Sequence, residues 1–213
     1  MKVEEAMTGR RSVRKYLDRE VPDELLIQAF EAARWAPNGG GFESWKFLVV
    51  TNREVIRKAA DAAQERVDTL TRWPEAEPFP QDILARIRNN ATFFRHAPVL
   101  IAALSQEYQS VIDKILISRG KDPAAVEMAA GRKAAPSRVQ EIGGFVVHLL
   151  LLFQSMGLGT CWLTGPLVAK RALEGILGVP PGWDLMALIS VGYPAERPTK
   201  TRKPVSEIVT WVR

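Results

Sequence analysis

Four cations, Arg10, Arg11, Arg14 and Lys15, stand within six positions in the run GRRSVRKY, residues 9–16. Planar guanidinium forks bind anionic oxygens in pairs, so arginines interleaved with Ser12 at this spacing suit an anion site. Taken alone, the run also reads as a solvated basic face. Other chemistries are poorly supported. Gly157 and Gly159 begin a G-x-G-x-x-G pattern, but Trp162 stands at its third glycine, and GxxxxGK occurs nowhere. With one cysteine, Cys161, and two histidines, His96 and His148, there is no local metal-ligand set. His148 lies in an apolar helical stretch and reads as a core histidine; His96 precedes a strand.

The chain must bury enough apolar surface to hold such a site. Its 213 residues, 46% hydrophobic, suffice for one core, so residues 1–213 are expected to form a single domain. The net charge of +5 comes from 29 basic and 24 acidic residues dispersed along the chain, which argues against a nucleic-acid coat. A lone cysteine cannot form an intramolecular disulfide, and MKVEEAMTGR lacks the apolar core of a signal peptide, so a cytoplasmic setting is expected. Residues 142–169 carry no Asp, Glu, Lys or Arg, yet their apolar run, Phe145 to Phe153, is too short for a membrane span.

Periodicity supplies the elements. VPDELLIQAFEAARWAP (21–37) places Leu26, Phe30 and Ala33 on one helical face. WKFLVVT (45–51) reads as a strand, followed by a helix over about 52–67. Residues 97–105 and 184–194 read as buried strands and 160–164 as a short one; helices are expected near 81–95, 106–118, 137–156 and 166–177, the last two closing at Gly157 and Gly178. Segments 71–81 and 118–137, rich in Pro, Gly and charge, are expected to be surface insertions. The tail is different. Val205, Ile208, Val209, Trp211 and Val212 are too apolar to dangle in water, so the tail must bury itself on its own body or on a partner.

In order, RRSVRKY, AARWAPNGGGFESWKFLVV, GLGTCWLTG, ISVGYP and TKTRKPVSEIV resemble the nitroreductase family of FMN-dependent oxidoreductases, and the resemblance covers essentially the whole chain. It implies an α+β fold, a central mixed or antiparallel sheet flanked by helices, with a C-terminal strand exchanged in a homodimer that holds FMN between its subunits. The implied activity is ping-pong: NADH or NADPH delivers hydride to flavin N5, then a nitroaromatic, quinone or similar small acceptor is reduced. Within the same superfamily, oxygen-dependent flavin fragmentation and reductive dehalogenation are alternatives; outside it, a phosphate, nucleic-acid or flavin binder without turnover is another. No catalytic side chain is implied beyond the flavin itself, and no metal, nucleic acid or membrane is implied.

The resemblance also assigns residues. Arg10 and Ser12 would hold the flavin phosphate and ribityl chain, and Lys200 and Arg202, sharing a face if extended, would complete the clamp. Arg11 would reach the same region or the flavin edge. Arg14 would stabilise negative charge at N1 and the C2 carbonyl of reduced flavin. The backbone of Leu163, Thr164 and Gly165 would run along the ring, with the Thr164 amide near N5 and small groups at Gly165 and Pro166 permitting close approach. By its residues alone APNGGG (36–41) is a flexible loop; in the family it reaches the flavin from the second subunit, through Pro37, Asn38, Gly39 and Gly41. Here the chain departs from the family pattern N-x-Q-P-W: Gly41, Glu43 and Ser44 replace Asn, Gln and Pro, and Trp45 is kept. Glu43 would place a carboxylate near the ring. Phe42, Trp73 and Phe79 would line the substrate side, although Trp73 and Phe79 could equally pin a loop.

Overall fold

The computed structural model describes residues 1–213. The chain runs α1 (Val3–Gly9), α2 (Asp23–Ala33), β1 (Trp45–Val50), α3 (Arg53–Leu70), α4 (Gln81–Thr92), β2 (Val99–Gln106), α5 (Val111–Ser118), α6 (Pro123–Ala134), α7 (Ser137–Ser155), β3 (Gly159–Leu163), α8 (Lys170–Leu177) and β4 (Trp183–Gly192). The strands form one antiparallel sheet in the order β1-β2-β4-β3. This is the expected α+β architecture, and the only parallel pairing is an isolated bridge between Ser12 and Thr160.

Strand β2 shows why the sheet is covered on both faces. Every residue from Val99 to Ser105 is buried, and alternate side chains go to opposite layers. Val99, Ile101 and Ala103 join the layer with Leu26 of α2 and Phe145, Leu149 and Phe153 of α7. Leu100, Ala102 and Leu104 join the other, with Ile56, Ala60 and Ala63 of α3 and Leu173 of α8. Local signals set the ends: the Asn52 side chain accepts from the Glu54 and Val55 amides to cap α3, and Gly157 and Gly178 adopt φ of 78° and 68° after α7 and α8. No helix is long and apolar enough to cross a membrane.

The structure departs from, or adds to, the expected elements at three places. Segment 118–137 holds a regular helix, α6, because Asp122 caps it and Pro123 sits in its first turn; Arg132 then ties it to Asp113 of α5 at 2.6 and 3.0 Å. The helix expected from 106 begins at Val111, where Ser110 and Asp113 form a reciprocal cap. A further helix, α1, precedes the basic run, with Glu5 accepting from the Lys2 amide.

The N-terminal strand-like segment lies along the free edge of β3. The Val13 amide donates to the Thr160 carbonyl at 2.9 Å, and a Cβ on Gly159 would stand 2.9 Å from Val13 side-chain carbons, so only glycine admits this approach. The opposite edge, β1, has no partner strand in this chain. The C-terminal tail does not bury itself on its own body. Trp211 is 78% exposed and Val212 96%, and Val205 and Ile208 are exposed as well.

Candidate active site

Arg10, Ser12 and Thr164 line one open cleft of about 610 Å³, together with Met7, Val147, Leu150, Leu151 and Trp162. Three elements bring them there. Helix α1 ends at Gly9, Arg10 turns extended with φ −61° and ψ 130°, and the chain then lies along β3. In β3 the period of two turns Cys161 and Leu163 into the core and leaves Trp162 as a wall. The indole tip of Trp162 lies over Gly143 of α7, whose absent Cβ would be 3.7 Å away.

The basic run divides by role. The Arg11 guanidinium folds back and donates to the Thr8 and Arg10 carbonyls at 2.6 and 2.8 Å, capping the C-terminal end of α1, which has no cation in its own last turn. Arg11 is therefore committed locally. Arg14 is exposed, rests over the Phe93 ring at 5.9 Å and donates to the Ser12 carbonyl at 3.3 Å; it pairs with no carboxylate side chain. Burial raises the Cys161 thiol pKa, against the opposing pull of Arg14, Ser12 and Arg10, so this cysteine is a poor nucleophile.

Tyr16 and Glu196 lock the run in place. The Tyr16 hydroxyl lies 2.7 Å from the Val13 carbonyl and 2.7 Å from Ser190 Oγ. Its one proton goes to the carbonyl, which can only accept, so Ser190 donates to Tyr16. Burial, the largest influence, raises the Tyr16 pKa well above its ordinary value. Glu196 Oε1 accepts from the Arg14 and Lys15 amides at 2.6 and 3.2 Å. These bonds also aim the tail: Leu17 pairs with Tyr193, Tyr16 with Pro194 and Lys15 with Ala195 in one antiparallel register. No backbone bond carries it past Glu196, and Lys200 and Arg202 stand exposed outside the cleft.

At the far end of the cleft the backbone turns from β3 at Thr164 into a 3-10 turn over Gly165–Ala169. Nothing lies within 4 Å of where a Gly165 Cβ would be, so its face is open, whereas Pro166 is buried and offers none. Leu163 can contribute only its backbone, because its side chain belongs to the core. The cationic and hydroxyl end, the apolar walls and the open backbone fit a molecule that joins a phosphate to a flat ring, as FMN does.

Pro37, Asn38, Gly39 and Gly41 lie elsewhere, in the loop before β1, and do not line this cleft of the same chain. Gly40 and Gly41 take φ of 65° and 74°. Phe42 stacks on Tyr108 at 4.4 Å, while Glu43 is exposed and unpaired. Ser44 is buried and donates to Glu141 Oε2 at 3.0 Å, and Glu141 Oε1 accepts from the Gly39 amide at 2.9 Å. Trp73 and Phe79 are exposed in the α3–α4 connection, away from the cleft.

Glu141, Tyr16, Glu196 and Trp162 are absent from the sequence-derived site. Glu141 had a signal: it is the last charged residue before Lys170 on an apolar helix, and a carboxylate there needs a partner. Glu196 had none, since its partners are backbone amides more than 180 positions away.

A model of the Nitroreductase family matches residues 7–193. An NADH dehydrogenase from Thermus thermophilus is 27% identical, with 97% of this chain and 94% of that relative covered. An iodotyrosine deiodinase from Hydra vulgaris is 26% identical, covering 96% and 70% respectively. Among solved structures, a BluB-like flavoprotein from Clostridium difficile 630 is similar over the whole of both chains, with a TM-score of 0.85 at 25% identity.

Proposed function

The chain belongs to the nitroreductase family of FMN-dependent oxidoreductases, and from that premise we propose that it passes reducing equivalents from NADH or NADPH to a nitroaromatic, quinone or similar small acceptor in ping-pong fashion. The observation that carries this reading is the meeting of Arg10 and Ser12 with Thr164, about 150 positions further along the sequence, in one cleft with apolar walls. FMN, when bound, supplies hydride transfer at N5. The chain supplies the rest. Arg10 and Ser12 bind the phosphate end, joined by Lys200 and Arg202 once the tail register closes. Thr164 and Gly165 offer backbone to the ring. Arg14 does not line the cleft, and its side chain pairs with no carboxylate, which leaves it available to offset the negative charge that reduction adds.

A homodimer completes the site in this reading. The unpaired edge of β1 and the exposed apolar tail are complementary needs, and one subunit's tail meeting the other's edge satisfies both. Loop 37–41 then serves the partner's flavin. Both core layers share one sheet, which supports reading residues 1–213 as a single FMN-binding domain. The buried free thiol of Cys161 suits a cytoplasmic setting.

A second reading is reductive dehalogenation or oxygen-dependent flavin fragmentation, favoured by the departures at Gly41, Glu43 and Ser44 and by the deiodinase relative. Assays separate them. NAD(P)H oxidation with nitrofurazone or menadione and intact flavin supports the first reading; halide release, or loss of the flavin spectrum under oxygen, replaces it. For the phosphate contacts, Arg10→Ala and Arg202→Ala are each expected to weaken FMN binding by about 1.5–3 kcal/mol, the worth of a charge-assisted bond. Unchanged affinity in both variants refutes the clamp.

A further inference from the structure

We propose that Glu141 is the positioning residue of the 38–44 loop, holding it in the shape in which it meets the flavin. The inference rests on the reading above that this loop is a flavin contact. Glu141 is 9% exposed on α7, in a helical stretch otherwise given to Ile142, Phe145, Val146 and Leu149. A carboxylate in such a place is costly unless its oxygens accept hydrogen bonds, and both do so from the same loop. Oε1 takes the Gly39 amide at 2.9 Å, and Oε2 takes the Ser44 hydroxyl at 3.0 Å. One side chain thereby joins the start of the loop to its end and closes it as a ring.

Two further features accord with this closure. A Cβ on Gly39 would stand 2.8 Å from Glu141 Oε1, so any larger residue would push the carboxylate off its place beneath the loop, while Gly40 and Gly41 are required by their positive φ. Ser44 is 2% exposed and its hydroxyl has no other partner, which accounts for a serine where the family pattern has proline: a hydrogen bond to α7 fixes the loop end in place of a ring in the backbone. The same helix carries Val147, Leu150 and Leu151 into the cleft about two turns on. Helix α7 thus supports a loop directed at one flavin and walls the cleft for another.

The test uses the FMN-loaded protein and the variants Glu141→Ala, Glu141→Gln and Ser44→Ala. Glutamine keeps both contacts, because its carbonyl can accept from the Gly39 amide and its NH2 can donate to Ser44 Oγ, which is donor or acceptor at will. Amide hydrogen exchange over residues 38–44, the FMN dissociation constant and the visible circular dichroism of the bound flavin are measured. Glu141→Ala is expected to speed exchange in this segment and to raise the FMN dissociation constant about tenfold, the equivalent of one buried hydrogen bond. Glu141→Gln is expected to restore both. Ser44→Ala, which removes a single bond, reports on the same segment should Glu141→Ala fail to fold. Exchange over 38–44 that stays at the wild-type rate in Glu141→Ala and Ser44→Ala overturns the positioning role. Faster exchange with unaltered FMN affinity and flavin dichroism overturns it differently: the loop is then ordered by Glu141 but is no flavin contact, and the assignment of Pro37 to Gly41 falls while that of Arg10 and Ser12 stands.

Discussion

The two basic segments, residues 10–16 and 197–213, are similar in composition and opposite in condition. The first is fixed by Val13 against Gly159, by Tyr16 against Ser190 and by Glu196 on its amides. The second has cations at Lys200, Arg202 and Lys203 and large apolar side chains beyond them, yet makes no hydrogen bond to the body of the chain. Fixing a segment costs backbone entropy on the order of 1–2 kcal/mol per residue, which burial and hydrogen bonds must exceed. The first segment meets that cost within one subunit; the tail has nothing in its own chain to meet it with. The difference teaches that one half of the proposed phosphate clamp is fixed within the chain and the other half is not fixed by its own chain.

Removing the second segment is the most severe way to break this comparison. A chain ending at Lys203 keeps Lys200 and Arg202 but loses Val205 to Val212, and is expected to sediment as a monomer and to lose its FMN. A truncated chain that stays dimeric and yellow removes the tail from the interface. On the intrinsic side, Gly159→Ala forces a Cβ against Val13 and should cost about 1–3 kcal/mol as overpacking. Thermal unfolding reads this loss, and FMN affinity should fall with it, since Arg10 and Ser12 ride on the displaced strand.

A pH series sharpens the same point. The folded Tyr16 phenol holds its proton more tightly than the unfolded one, whose pKa is about 10. Below that pH both states are neutral and the effect is silent; above it the unfolded chain ionises first, so stability falls as pH rises. Tyr16→Phe should flatten the alkaline slope of the melting temperature while lowering stability at pH 7, and an unchanged slope would show that another group sets it. The smallest effect is expected away from both segments. Arg138, then Lys170, hold the Asp184 carboxyl below its usual range after burial is offset. The pair stabilises above about pH 4 and loses its effect as pH falls through the lowered folded value. Because the groups are partly exposed, Asp184→Asn should cost no more than about 1 kcal/mol in chemical denaturation.

Much of the frame was legible because its signals are local. The continuous apolar run in VLIAALSQ and the glycines closing α7 and α8 need only neighbours in sequence. Helix α6 was missed because the Pro and charges of 118–137 resemble a loop until Asp122 is seen capping it. In the site, residue types showed that Arg10 and Ser12 suit an anion, but not that Arg11, beside them, is spent on the end of α1. Ser44 looked like a loss relative to the family pattern and became intelligible only with Glu141 beneath it.

The sequence by itself determined most of the elements, the buried strands and the chemistry available at each end of the chain, because propensity, periodicity and charge are properties of residues and their neighbours. Tertiary structure alone decided which cations face the cleft, which carboxylate orders the loop and where the tail is aimed. Those outcomes depend on pairings such as Glu196 with the Arg14 amide and Glu141 with Gly39, whose partners lie more than a hundred positions apart and are selected by packing.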